Sequence, residues 1–440
     1  MINTQTFNYC VKPSVVKADT TCTITIHPLG VNVAFKPGET YTLRIRETET
    51  ACEDYRHLPE TVYTCTPNAQ GDLTVTHRFA GEQKHVLLLE RPESDLSSPY
   101  RDLTYRPKYG ENTHAKLAVY SLADDLYGLK GYKGEVHCHT YASDGVQDIP
   151  HTVGNYRAAG YDFLAITDHY ISFGATQATE MYRDSSLAMT LLFGEEVHVP
   201  EERIHAVHLG GNASVNQYFR DHKQEVLQEV QDMIDTLDLP EQVNKTNYAW
   251  QRWIAEKSRE MGGIAVLAHP HWIWNEVYFM AEPLTIQLLK DKVYDTLDLR
   301  DSHIDVSLAL WHEMERQGLT IPVVGSTDAH YTYANDPHTP AKGGYTLAFA
   351  PDRSAKSLLQ AMKQGNSLCV FTEVSPQLPV GPYRLVKYGR FLLDYFFPYY
   401  MWLCRAQAPA VSQYSEAQEP LLCQLTQQSE QLIADFYGQG

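Results

Sequence analysis

The sequence has no two cysteines spaced as C-x-x-C. Its eight Cys stand at 10, 22, 52, 65, 138, 369, 404 and 423, so neither a zinc knuckle nor a dithiol redox centre is written into the chain, and reduced structural thiols are expected. It also lacks a long apolar run. The longest, Phe391 to Cys404, is broken by Asp394 and Pro398 and falls short of the roughly 18 to 20 residues that a membrane span needs. It reads as a buried, aromatic-rich helix. The N-terminal MINTQTFNYCVK has no basic stretch leading into an apolar one, so no secretory signal is expected and the cytoplasm is the default compartment. Positive charge is scarce: 36 Lys and Arg face 54 Asp and Glu, a net charge of -18. Such a balance argues against general binding to nucleic-acid backbone or anionic lipid.

What is present suits a packed protein of more than one domain. At about 150 residues per domain, 440 residues give two or three. From about residue 20 to 122 the pattern alternates with period two, in Thr21 to His27, Tyr41 to Arg46, Leu73 to Phe79, His85 to Glu90 and Lys116 to Ser121. Half-buried strands fit this pattern, and turn signals such as Pro37-Gly38 and Gly71-Asp72 space them as in a small β-sandwich. After Gly131 short apolar runs alternate with helical periodicity: Phe163 to Thr167, Leu191 to Phe193, Ile264 to Ala268 and Ile321 to Val324, with Ile304, Leu308, Trp311 and Glu315 on one helix face. That is the texture of βα units. The expected division is a β-rich domain over 1–130, a catalytic α/β domain over 131–373 and an α-helical region over 374–440.

The apolar runs deliver His, Asp and Glu at or after their carboxyl ends, where a parallel β/α barrel builds its active site. EVHCHTYASDG supplies His137, His139 and Asp144, FLAITDHY supplies Asp168 and His169, and LLFGEEVHV supplies Glu195, Glu196 and His198. HAVHLGG follows with His208, IAVLAHPHW with His269 and His271, and VVGSTDAH with Asp328 and His330. Alternate strand residues share a side, so the two imidazoles of an HxH can hold one metal. Mixed imidazole and carboxylate donors without thiolate suit Mn, Fe or Zn, and a cluster of such ions makes hydroxide available at neutral pH.

The order HxHxxxxD, DH, E, H, H, DxH resembles the PHP (polymerase and histidinol phosphatase) family of metal-dependent phosphoesterases over roughly residues 132 to 371. Within it the chain is similar to the branch named after carbaryl hydrolase (CehA/McbA-like), through the β-rich N-terminal region, the HTPAKGGYTLAFA stretch and the aromatic tail. The resemblance implies a distorted (βα)7 TIM-like barrel with a β-sandwich-like N-terminal domain and a helical C-terminal appendage. It implies two to three divalent ions and a bridging hydroxide as nucleophile. By motif, His137, His139, Glu196 and Asp328 would hold one ion. Glu196 would bridge to a second, bound also by His208 and His269, and Asp144, His169 and His330 would hold a third. Glu196, Asp144, His169 and His330 are the residues expected to bear on catalysis. Glu196 is preferred to Glu195 because it stands two positions after Gly194, as in the family's GxE.

The remaining candidates read more plainly. His27, His151, His205, His312 and His338 are expected as surface or structural residues, Cys138 as core filling and Arg203 as a solvated loop residue. His198 and His271 divide evenly between pocket and scaffold, and Asp168 is expected to orient a neighbour. The leading functional expectation is a phosphoesterase acting on a small ester. Hydrolysis of a carboxylic or carbamate ester at the same metal centre and a noncatalytic scaffold are the alternatives. A missing ligand would favour the scaffold, and basic residues near the cluster would favour phosphate. An amidohydrolase also begins with HxH but typically adds a bridging Lys and ends on a lone Asp, against the DxH here.

Overall fold

Alternating burial is the first thing the sequence pattern becomes. In the computed structural model, which describes residues 4–31, 33–50, 59–90, 114–200, 204–300, 303–331 and 343–438, the chain divides into two compact units. One comprises Met1–Gly128, Arg390–Leu403 and Gln427–Gly440; the other comprises Leu129–Gly389 and Cys404–Thr426. Cys52, Arg203, His338 and most of the stretch before Gly344 lie outside the described residues.

The first unit holds β1 (Tyr9–Lys12), β2 (Val15–Lys17), β3 (Thr20–Pro28), β4 (Tyr41–Glu47), β5 (Glu60–Cys65), β6 (Leu73–Phe79), β7 (Gln83–Glu90) and β8 (His114–Leu122). They form a three-stranded sheet, β1-β3-β6, and a five-stranded sheet, β2-β8-β7-β4-β5. Along β4 and β7 every second residue is buried. Ile24 and Val75 of one sheet therefore meet Leu43, Leu87 and Val119 of the other in one core, the sandwich that the alternation predicts.

The second unit runs β9 (Lys130–Glu135), α1 (Ile149–Ala158), β10 (Phe163–Ala165), α2 (Phe173–Met181), β11 (Thr190–Leu192), β12 (Gly194–Val197), β13 (Ala206–Gly210), α3 (Val215–Asp221), α4 (Lys223–Thr236), α5 (Lys245–Glu260) and β14 (Gly263–Leu267). It continues with β15 (Ile273–Trp274), β16 (Val277–Tyr278), α6 (Glu282–Lys290), β17 (Thr296–Asp298), α7 (Ile304–Arg316), β18 (Val323–Val324), β19 (Gly344–Ala350), α8 (Ala355–Lys363), β20 (Ser367–Phe371) and β21 (Leu378–Val380). The helices α9 (Tyr383–Tyr395), α10 (Phe397–Ser412) and α11 (Glu419–Tyr437) close the chain and are shared out between the units. No helix among the described residues is long and apolar enough to cross a membrane.

Two larger sheets organise the second unit, β11-β10-β9-β19-β20-β21 and β12-β13-β14-β17-β18. The pairs β9/β10, β10/β11, β14/β17 and β17/β18 are parallel, as βα units require. The βα reading does not extend to the rest. Strand β13 runs antiparallel to both β12 and β14, and β19 runs antiparallel to β9 and β20. Among the described residues no helix lies between β12 and β13, and β13 pairs with β12 in the reverse direction. Strands β13 and β14 each have two covered faces. Val207, Leu209 and Val266 pack with Phe163 and Val324, whereas Ala206, Ala265 and Leu267 pack with Trp253, Ile254 and Leu288 from the helices.

Candidate metal centre

Backbone pairing beyond the strand ends gathers the motifs. The His139 N–H donates to Ala329 O at 2.9 Å, Asp328 N–H to His137 O at 2.8 Å and Tyr170 N–H to Glu196 O at 3.1 Å. The buried Glu135 carboxylate accepts the backbone N–H groups of Val136, His137 and Thr327 through one oxygen, fixing the start of the HxH against the STDAH segment. Asp168 accepts from the Thr140 N–H at 2.7 Å and the Ser143 hydroxyl at 2.9 Å, which pins the turn carrying Asp144. Asp328 (φ 48°), His269 (φ 25°) and the neighbouring Tyr170 (φ 64°) adopt left-handed backbone, a conformation that side chains avoid unless the surroundings impose it.

Glu196 is the hub. Its Oε2 lies 2.8 Å from His169 Nδ1, 3.3 Å from His137 Nε2, 3.5 Å from His139 Nε2 and 3.7 Å from His198 Nε2. Its Oε1 lies 2.7 Å from His205 Nδ1 and 3.4 Å from His269 Nε2. Neither oxygen has a partner with hydrogen-bond geometry, although Glu196 is fully buried. Asp328 Oδ1 completes the first group at 3.1 Å from His139 Nε2 and 3.4 Å from His137 Nε2. Asp144 Oδ2 sits 3.3 Å from His330 Nε2 and 3.5 Å from His169 Nε2.

These spacings answer the question of fit. Four tetrahedral donors at about 2.0 to 2.1 Å from an ion stand about 3.3 Å from one another, and the contacts linking His137, His139, Glu196 and Asp328 span 3.1 to 3.5 Å. Unsatisfied buried carboxylate oxygens beside converging imidazole nitrogens are what a cation would complete. The groups close enough to share an ion are His137, His139 and Glu196; His137, His269 and Asp328; Glu196, His205 and His269; and His139, Asp144, His169 and His330. A further group joins His169, Glu196 and His198.

Burial alone would push the Glu196 carboxyl up, but His137, His169 and His198 outweigh it and hold the group well below the usual carboxylate range. Asp328 is likewise held down against burial by His137, His139 and His269. For His137, burial is outweighed by Asp328 and Glu196, so its pKa rises.

Eight of the nine expected ligands meet here; His208 does not. In the antiparallel register of β12 and β13, His208 stands opposite Glu195 and Val207 opposite Glu196. His208 therefore points to the helix side, where its Nδ1 is 3.3 Å from Glu195 Oε1. Glu195 there also accepts from the Ser214 hydroxyl, the Val215 N–H and the Asn216 amide. Beside Glu196 Oε1, where His208 is expected, stands His205, expected from the sequence as a surface or structural residue. Because β13 is reversed, its first residues, not its last, reach the carboxyl end of β12. Position parity was the available signal, since 205 and 207 share a side. His198 enters the cluster, with Nε2 2.7 Å from His169 Nδ1, while His271 turns to the Ser307 hydroxyl at 2.7 Å.

Two features had no sequence signal attached to them. Arg300 places Nη1 3.5 Å from Asp328 Oδ2. A cleft of about 950 Å³ opens beside Asp144, His169, His198 and His205, walled by Tyr170, Trp272, Trp274, Val277, Tyr278 and Phe279.

No family model and no curated protein matches the chain. Among solved structures it is similar to a two-domain protein from Bacteroides vulgatus containing a predicted PHP-like metal-dependent phosphoesterase. That likeness has 16% identity, covers 61% of this chain and 71% of that one, and has a TM-score of 0.43. A protein from Bifidobacterium adolescentis with a predicted metal-dependent phosphoesterase assignment matches at 18% identity over 45% of this chain and 87% of that one, with a TM-score of 0.32. An amidohydrolase from Chromobacterium violaceum, with bound sulfate and no metal, matches at 20% identity over 45% and 87%, with a TM-score of 0.29.

Proposed function

We propose that this chain is a metal-dependent hydrolase of the PHP type, built on a (βα)7-like barrel, that cleaves a small phosphoester with two or three divalent ions of Mn, Fe or Zn. The division of six imidazoles between the two oxygens of Glu196 supports this reading above all else. His137, His139, Glu196 and Asp328 would hold one ion, Glu196, His205 and His269 a second, and Asp144, His169 and His330 a third. Ions in such a donor set supply Lewis acidity, lowering the pKa of coordinated water from 15.7 toward about 7 and polarising the ester.

The chain's own groups do the rest. Glu196 and Asp328 are ionised at neutral pH, so they offer anionic donors without first losing protons. Asp168 holds the Asp144 turn in place. Arg300, beside Asp328, can pair with a phosphate oxygen at the edge of the cluster. A carboxylic or carbamate ester is the second reading, favoured by a cleft whose lining, among the described residues, includes neither Lys nor Arg.

Metal analysis and a comparison of nitrophenyl phosphate mono- and diesters with nitrophenyl carboxylic esters test both readings. We expect more than one ion per chain and turnover of a phosphate. Glu196→Gln should lose metal and at least about a hundredfold in rate, while Glu195→Gln keeps its metal. Less than one ion per chain after reconstitution, or the reverse order of the two variants, overturns the assignment.

A further inference from the structure

His198 stands two residues after Glu196 and is buried, yet none of the three ions assigned above uses it. Its position is nonetheless closely held. The His198 backbone N–H donates to Asn216 Oδ1 at 3.1 Å, and the Asn216 amide donates in turn to Glu196 O at 3.1 Å and Glu195 Oε2 at 3.0 Å. The ring packs against Tyr170 at 4.5 Å and His205 at 4.3 Å. Held in this way, its Nε2 lies 2.7 Å from Nδ1 of His169 with hydrogen-bond geometry. That nitrogen of His169 also lies 2.8 Å from Glu196 Oε2, but no hydrogen bond reaches either Glu196 oxygen. Nor is the short contact the mark of a shared ion, because tetrahedral co-ligands stand about 3.3 Å apart.

A neutral imidazole carries one proton and one lone pair, so the nitrogen of His169 that is protonated leaves the other to bind an ion. His330 shows the pattern within the same group. Its Nδ1 lies 3.1 Å from Asp328 O, a carbonyl that can only accept, which puts the proton on Nδ1 and leaves the Nε2 lone pair 3.3 Å from Asp144 Oδ2. His169 presents its Nε2 to the same Asp144 oxygen at 3.5 Å, but where His330 has a carbonyl, His169 has the His198 ring. Resting on the metal-dependent hydrolase reading above, we propose that His198 is a positioning residue. It accepts the Nδ1–H of His169, holds the Nε2 lone pair toward Asp144 and His330, and so sets how tightly the third ion is bound. The Nδ1 of His198, buried and without a hydrogen-bond partner among the described residues, then carries that ring's proton. Asp144 and His169 line the cleft, so an ion between them would border the bound ester.

The test is a Mn(II) titration of metal-free protein, followed by the electron paramagnetic resonance of the free ion, on wild type, His198→Phe and His198→Gln. Phe keeps a ring between Tyr170 and His205 but accepts nothing, whereas the Gln amide oxygen can accept from about the same place. We expect a third ion in wild type. His198→Phe should weaken it about 10- to 100-fold, the range for losing the outer partner of a metal-bound histidine, with the other two unchanged, and His198→Gln should restore most of the difference. In Zn-loaded protein, nitrogen NMR shifts should place a proton on Nδ1 of His169 and none on Nε2 of His198. Fewer than three ions in wild type, an unchanged third ion in His198→Phe, equal weakening of all three, or the same loss in His198→Gln, as a direct ligand would give, overturns the proposal. If His198→Phe loses the third ion but wild type cleaves no ester, the hydrolase reading fails and His198 keeps its role. Turnover of a nitrophenyl ester with the third ion unchanged in His198→Phe separates the two the other way.

Discussion

His205 and His208 lie three residues apart and face opposite ways, and they make opposite demands on the molecule. His205 adjoins Glu196, whereas His208 adjoins Glu195 under α3. His205→Ala should therefore lower the bound metal and the rate while leaving the thermal midpoint of metal-free protein nearly unchanged. His208→Ala should keep its metal and lose stability by about 1 to 2 kcal/mol, because a buried carboxylate gives up one of its partners. Metal content and melting curves of both variants, run side by side, decide between them. Metal loss in His208→Ala alone would restore the motif-based assignment. Gly263 fits the observed placement, since a Cβ there would come within 2.5 Å of His208 Nε2.

Strand β9 shows how one element serves the core and the site at once. Gly134 lies across from Phe163 in the register, and Tyr132 and Val136 share its core. The alternate positions carry Lys133 and Glu135, both fully buried and polar. Lys133 donates to Ala159 O at 2.9 Å and lies 4.4 Å from the Tyr161 ring and 4.3 Å from the Tyr345 ring. Burial pushes its ammonium down to about 7, against the opposing pull of Asp162 and Glu135. An unfolded lysine titrates near 10.4. Between those values the unfolded chain binds more protons, so this residue's contribution to stability rises with pH, and its full cost is felt below about pH 7. Relative to wild type, Lys133→Met should thus be most favourable at pH 6 and lose that advantage steadily toward pH 10. Urea midpoints at several pH values check this; a difference independent of pH would rule it out.

Across the whole molecule, legibility followed the range of the interaction. The two-residue alternation of β3, β4, β6, β7 and β8 is a local property, and each expected strand lies within or overlaps a real one. The spacing of Ile304, Leu308 and Trp311 likewise gave α7. The HxH of His137 and His139 could be read because alternate residues of an extended segment lie on one side, although His271, two residues after His269, turns instead to Ser307. Strand direction could not be read, since it is settled by hydrogen bonds between residues far apart in sequence. The reversal of β13 brings His205 and not His208 to Glu196 for that reason. Nor could the sharing of α9, α10 and α11 between two units be foreseen, because amphipathic periodicity says that a face is covered and not by which core.

The hairpin of β15 and β16, which walls the cleft beside the cluster, also has a tempo. It has two residues per strand, and its turn places Asn275 and Glu276 at φ 49° and 66°. Both positions of such a turn demand left-handed backbone, which Asn tolerates and which Gly adopts far more readily than Glu. Isolated two-stranded ribbons are marginal in water, so this one should open far more often than β13 and β14, and its amides should exchange with solvent faster. Glu276→Gly should slow exchange at Trp274 and Tyr278 and lower KM for a substrate that touches this wall, by sparing that substrate the work of ordering it. Hydrogen exchange as slow in the wild-type hairpin as in β14 would show instead that the wall is already set before anything arrives.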